Sequence, residues 1–146
     1  MSSTGSSTAI ESLAAELALA AGQLARRLRT QGQPGGLSLS QLAVLARLEP
    51  HDGITAAELA RAEAMKPQSM GSILAALEAQ DLVRRRPDPH DGRRILFALT
   101  AKGTAIRAER SAAKRQWLAT ALARLDVRDL RTLGAAVPLI KQLGQP

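Results

Sequence analysis

The chain has 146 residues, 45% of them apolar and 23% charged, which is enough for one domain with a sizeable core. It has no cysteine, no apolar run of membrane-spanning length and no charged-then-apolar leader in MSSTGSSTAI. Disulfide frameworks, thiolate metal sites and cysteine nucleophiles are therefore excluded, and the expectation is a cytoplasmic chain with no transmembrane helix and no secretory signal.

Twenty Lys and Arg against 13 Asp and Glu give a formal net charge of +7, a balance that points to a polyanionic partner, nucleic acid first. Phe97 and Trp117 are the only aromatic residues, which argues against modules that stack several bases on aromatic platforms.

In chain order, residues 1–7 (MSSTGSS) are small and polar and are expected to form a disordered tail. From Thr8, the steps between Ile10, Leu13, Leu17, Leu24 and Leu28 predict an amphipathic helix of about 22 residues. QGQPGG ends it through Pro34 and its glycines, and Arg26, Arg27 and Arg29 fall in the last turn, where cations suit the helix dipole. Ser38 with Gln41, and Thr55 with Glu58, are capping boxes that open two shorter helices separated by the turn HDG. A third short helix is expected from about Lys66 to Gln80, with Pro67 in its first turn and Met70, Ile73, Leu74 and Leu77 as its buried stripe. The period then changes to that of strands, LVRRR at 82–86 and RILFAL at 94–99, joined by a Pro- and Gly-containing loop.

Thr100 is placed to cap a long helix reaching about Leu125, with Ile106, Trp117, Leu118, Ala121 and Leu122 along it. Asp126 caps a last helix in which Leu130, Leu133, Val137 and Ile140 form a stripe, interrupted by Pro138, where a kink is expected. Three short helices followed by a hairpin describe a winged helix-turn-helix. The fold class is thus mostly α with a small β-hairpin. The expected organisation of the domain at 8–146 is a DNA-binding core at 38–100 flanked by dimerisation helices at 8–31 and 101–143.

Two stretches carry the chemistry. In a helix-turn-helix, the second helix presents its N-terminal half to the major groove. Here that half offers Lys66, Pro67, Gln68, Ser69 and Ser72. Glutamine can pair bidentately with adenine, serine can serve a base or a phosphate, and lysine supplies charge. The second stretch is RRRPDPHDGRR, with Arg84, Arg85, Arg86, Arg93 and Arg94 in eleven residues. Strand alternation sends neighbouring arginines to opposite faces, so one DNA backbone meets only some of them. A basic hairpin tip suits the negative potential of a minor groove, and Arg84, Arg86, Arg93 and Arg94 are the candidate contacts. Asp88 and Asp91 are expected to act locally, capping the turn and holding an arginine by a charge-assisted bond.

The run LEAQDLVRRRPDPHDGRRILFALTAKG closely resembles the wing signature of the MarR (multiple antibiotic resistance regulator) family of winged-helix transcription factors. The matching residues are Leu77, Glu78, Leu82, Val83, Arg85, Asp88, Pro89, Asp91, Arg93, Leu99, Thr100 and Gly103, while Asp81 stands where a glycine is frequent before Leu82. The resemblance implies that Arg93 is the wing arginine, positioned by Asp91, and that recognition-helix contacts fall near Pro67, Gln68, Ser69 and Ser72. It further implies a homodimer built from the terminal helices. Such a dimer binds a pseudo-palindromic duplex, often as a repressor, and is released by a small, commonly phenolic or anionic ligand.

His51 and His90 lie in separate loops without a carboxylate cluster at ligand spacing, so they read as surface residues, and the sequence implies no metal and no cofactor. Trp117 reads as packing or interface before pocket lining, and the three methionines as core filler. An enzyme finds no support, since no Gly-rich phosphate loop and no nucleophile motif is present. A winged helix that binds protein and not DNA is the alternative, but it should carry a neutral or acidic wing.

Overall fold

The computed structural model describes residues 3–32 and 36–146. The elements are α1 (Ser3–Arg29), α2 (Leu39–Leu48), α3 (Ala56–Ala62), α4 (Pro67–Ala79), β1 (Val83–Pro87), β2 (Ile95–Leu99), α5 (Ala101–Leu122) and α6 (Val127–Leu143). Order and type follow the sequence expectations, with one correction. The first helix starts at Ser3 and not at Thr8, so residues 3–7 are helical and not a disordered tail. Ser3–Ser7 contains no proline, and a helix already nucleated downstream extends through small residues at little cost per residue. Pro34 and Gly35, expected to stop this helix, lie outside the described residues. Gly32 and Gly36 on either side take the left-handed conformation, at φ 60° and 90°.

The chain divides into two compact units, Gly32–Ala112 and Met1–Gln31 with Ala113–Pro146. The division falls inside α5, because the first half of that helix belongs to the winged helix. Ile106 packs against the core, and Arg107 donates to Glu49, the C-cap of α2, at 2.8 and 3.2 Å.

The core of the first unit is a leucine-rich cluster. Leu42, Val44, Leu45 and Leu48 of α2 meet Leu59 of α3, Met70, Leu74 and Leu77 of α4, then Leu82, Val83 and Phe97 of the hairpin. Both expected capping boxes are formed, Ser38 with Gln41 and Thr55 with Glu58, so each helix start is fixed by reciprocal bonds. The hairpin is antiparallel, pairing Val83 with Leu99 and Arg85 with Phe97. Ile54 adds a short third rung by exchanging backbone bonds with Phe97 at 2.8 and 3.1 Å.

Two helix ends use the same device. After α3, the N–H of Met65 reaches the carbonyl of Ala60 and Ala64 sits at φ 49°; after α4, Leu82 reaches Leu77 and Asp81 sits at φ 60°. Each is a left-handed cap followed by an apolar residue that turns back onto the core. Asp81 thus occupies the left-handed position where a glycine would be at ease.

The second unit consists of α1, the later part of α5, and α6. Helix α6 runs unbroken through Pro138, with Gly134 four residues earlier, where the proline ring crowds the helix most. Trp117 is half-buried beneath the Arg27 guanidinium, 5.7 Å from the ring centre. Among the described residues no helix is long and apolar enough to cross a membrane.

The start of α5 is fixed by a close approach. Thr100 donates its hydroxyl to the Asp81 carbonyl at 2.6 Å and accepts the Gly103 N–H at 3.0 Å, while its own N–H reaches the carbonyl of Leu82. A Cβ at Gly103 would overlap the Leu82 carbonyl oxygen. Helix propensity alone makes Gly→Ala favourable by about 1 kcal/mol. The contact reverses that sign: Gly103→Ala is expected to lose about 1–3 kcal/mol, as overpacking does. A urea unfolding curve decides, and a midpoint at or above wild type would contradict the packing described.

Candidate nucleic-acid interface

The burial of one face of α4 sets the direction of the other. Met70, Leu74 and Leu77 are wholly enclosed, and Lys66, Pro67, Gln68, Ser69 and Ser72 are all exposed around the first turn and a half. Lys66 is the N-cap but makes no side-chain cap bond, and Pro67 at the first helical position brings no N–H. The first intrahelical bond runs from Met70 to Lys66. The N–H groups of Gln68 and Ser69 precede that bond and open outward with the positive end of the helix dipole, an arrangement that suits a phosphate oxygen. The Ser72 hydroxyl donates back to the Gln68 carbonyl at 3.2 Å, so in this rotamer it presents an acceptor to a partner.

The wing is folded by its two aspartates. Asp88 accepts the His90 N–H at 2.9 Å and Asp91 accepts the Arg93 N–H at 3.1 Å, two Asx turns that close the tip over a backbone bond from Asp88 to Arg94. The His90 N–H holds the Asp88 carboxyl below its ordinary range, so it stays charged at neutral pH. Asp91 thus meets Arg93 through the main chain, and none of the described ion pairs joins the two side chains.

The five wing arginines divide by partner. Arg84 and Arg93 are exposed and, among the described residues, neither has an acidic partner. Arg86 is half-buried against the HDG turn, donating to the Asp52 carbonyl at 2.7 Å with the Asp52 carboxylate at 3.6 Å. Arg94 spans Glu58 at 3.3 Å and Asp88 at 3.9 Å. Arg85 pairs with Glu78. Strand alternation separates Arg85, on the face of Val83, from Arg84 and Arg86, as the sequence requires.

The acids that organise this surface, Glu58, Glu78 and Asp52, are absent from the sequence-derived site. Glu58 was visible only as a capping residue, and it does both jobs: it accepts the Thr55 N–H at 3.0 Å and faces Arg94. The Thr55 N–H, more than the arginine, keeps its carboxyl below the ordinary range. His51 and His90 are exposed, and among the described residues no three His, Cys, Asp or Glu converge. Trp117 lines a cavity of about 180 Å³ with Arg27, Thr120, Ala121 and Arg124.

Comparison with known proteins places this geometry. A family model of the MarR family matches residues 35–94, from just before α2 through the wing. The chain is 34% identical to an HTH-type transcriptional regulator of Mycobacterium bovis over 90% of its length and 92% of that protein's. It is 37% identical to an HTH-type transcriptional repressor of Mycobacterium tuberculosis over 67% of this chain and 70% of that one. Its fold matches the crystal structure of a Pseudomonas aeruginosa protein described as a transcriptional regulator with a TM-score of 0.83 at 30% identity, covering 95% and 97% of the two chains. With a winged helix, a basic wing and a near full-length relative of this identity, the chain belongs to the MarR family of DNA-binding transcriptional regulators.

Proposed function

We propose that the protein is a homodimeric repressor that binds a pseudo-palindromic duplex in the cytoplasm, with α4 in the major groove and the wing in the adjacent minor groove. The observation that carries the DNA contact is the pairing of two free surfaces on one unit. Arg84 and Arg93 of the wing have no acidic partner among the described residues, and the same unit carries a recognition helix whose polar N-terminal turn is exposed. Gln68, with Ser69 and Ser72 beside it, reads base edges; Lys66 and the helix N-terminus hold phosphate; Arg93 enters the minor groove. Arg86 and Arg94 add charge to the wing while bracing it. Repression agrees with the role named for the M. tuberculosis relative, and release by a small ligand is the regulation that the family resemblance implies.

Dimerisation is supported by the terminal helices. In the second unit Ile10, Leu13, Val137, Ile140 and Leu143 remain 47–72% exposed. Leu17, Leu24 and Leu28 of α1 line an apolar groove of about 580 Å³ with Leu133, Ile140 and Leu143 of α6. Exposed apolar surface on this scale marks an interface, and a two-fold pairing of these helices would cover it and present two recognition helices to successive major grooves.

Sedimentation at micromolar concentration is expected to give twice the 15.4 kDa chain mass. Ile140→Glu should shift it toward the monomer by burying a charge in an apolar contact. A monomeric wild-type protein would overturn the dimer.

A duplex selected from a random pool by the wild-type protein separates the roles of the two surfaces. If the dimer neutralises roughly 6–8 phosphates, log K should fall against log salt with a slope of about −5 to −7. A slope near zero would mean that the basic wing does not meet phosphate, as expected for a protein-binding module. Gln68→Ala should cost about 1–3 kcal/mol on the selected duplex and little on random sequence. Arg93→Ala should weaken both. Asp91→Ala should also weaken binding, although it removes a negative charge, because the Asx turn that presents Arg93 is lost. Tighter binding by Asp91→Ala would refute the account of the wing.

A further inference from the structure

One guanidinium joins the two halves of the interface. Arg85 in β1 donates from Nε and Nη2 to the two carboxylate oxygens of Glu78 in α4, at 2.8 and 2.7 Å. This parallel two-bond geometry is one that arginine alone offers a carboxylate. The same guanidinium lies 5.5 Å from the centre of the Phe97 ring, directly across the hairpin register in β2. Phe97 in turn holds Ile54 by two backbone hydrogen bonds. A single side chain therefore touches the recognition helix and both wing strands, and through Phe97 it is anchored to the segment before α3.

We infer that Arg85 is a positioning residue that fixes the wing against the recognition helix, and that it is not a phosphate contact in its own right. Three observations separate it from the other wing arginines. It lies on the core-facing side of β1 with Val83, away from Arg84 and Arg86. Both of its polar edges toward α4 are used by Glu78, which keeps that carboxyl below its ordinary range and so ionised at neutral pH. Among the described ion pairs it alone joins α4 to the wing: Arg47–Glu63 and Arg107–Glu49 join scaffold helices, and Arg94 reaches α3.

The functional consequence follows from the needs of the two kinds of binding. Specific binding requires α4 and the wing to enter neighbouring grooves together, whereas binding to random sequence needs only positive charge near phosphate. Loosening the strut should therefore lower selectivity and spare charge-driven binding.

The inference rests on the reading that α4 and the wing contact DNA, and the test keeps the two apart. Full-length protein is titrated at several salt concentrations onto the selected duplex and onto a random-sequence duplex. Arg85→Lys keeps the charge but loses the fork; it should weaken the selected duplex about tenfold and leave random duplex nearly unchanged. Glu78→Gln should weaken the selected duplex too, although it removes a negative charge near DNA. The double variant should bind no more weakly than the weaker single, as coupled partners do. Arg85→Gln should leave the salt slope on random duplex unchanged.

Thermal melting and sedimentation accompany each variant. Should Arg85→Gln fail to fold, Arg85→Lys and Glu78→Gln carry the decision. A slope lower by about 1 in Arg85→Gln, with Arg85→Lys near wild type, would overturn the inference in favour of a direct phosphate contact. Tighter binding by Glu78→Gln would overturn it as well. If Gln68→Ala and Arg93→Ala bind both duplexes as wild type does, the interface itself lies elsewhere, and the proposal falls with that reading.

Discussion

The rotation of α4 about its own axis is the constraint on which the rest depends. Met70, Leu74 and Leu77 are each no more than 1% exposed, and together they lock one stripe of the helix against the leucines of α2 and Leu59 of α3. A stripe that is fully enclosed leaves no freedom to roll. Gln68, Ser69 and Ser72 then face outward because of where the apolar residues go. Deleting one of these buried side chains would cost about 2–5 kcal/mol and would also blur the aim of the helix, since a partly emptied core tolerates more than one packing.

Electrostatics completes what packing begins. The winged-helix unit is nearly charge-balanced, with 11 Lys and Arg against 9 Asp and Glu over residues 32–112, and most of its structurally engaged arginines are matched by acids from a different element: Glu63, Glu49, Glu58, Glu78 and Asp52. These pairs are solvent-exposed, so each adds little to stability. Their effect is on geometry and on charge placement. Pairing neutralises the arginines that brace the scaffold and leaves Arg84, Arg93 and Lys66 among the cations outside the described ion pairs. The acids on the proposed DNA-binding surface thus have a use: they decide which cations are available. The two wing aspartates act likewise at shorter range, bending the main chain so that Arg93 projects.

Much of this was legible in the residues. Capping boxes at Ser38 and Thr55, the stripe of α4 and the switch to a period of two after Leu82 fixed the helix order and the hairpin to within a residue or two at most boundaries. The signals that succeeded are local ones, where a side chain bonds a backbone group three residues away. The start of α1 was missed because small polar residues carry no strong preference, and a neighbouring helix decides for them. Proline at 138 put the continuity of the last helix in question, and α6 continues through it. The left-handed turns at Ala64 and Asp81 were not marked by glycine, so tertiary packing of Met65 and Leu82 imposes them. The partners of the wing arginines were hidden for a different reason. Glu58 and Arg94 are 36 residues apart, and only the fold brings them to 3.3 Å. Glu78 and Arg85 were both visible in the family signature, but nothing in the spacing said that they touch.

The central claim is that two copies of α4 read successive major grooves while the wings enter the flanking minor grooves. Dimethyl sulfate methylation reports guanine N7 in the major groove and adenine N3 in the minor groove on the same duplex. With a duplex selected by the wild-type protein, the account predicts two patches of guanine N7 protection about one helical turn apart, each flanked on its outer side by adenine N3 protection. A single patch, or N7 positions left fully reactive while the protein is bound, would contradict it.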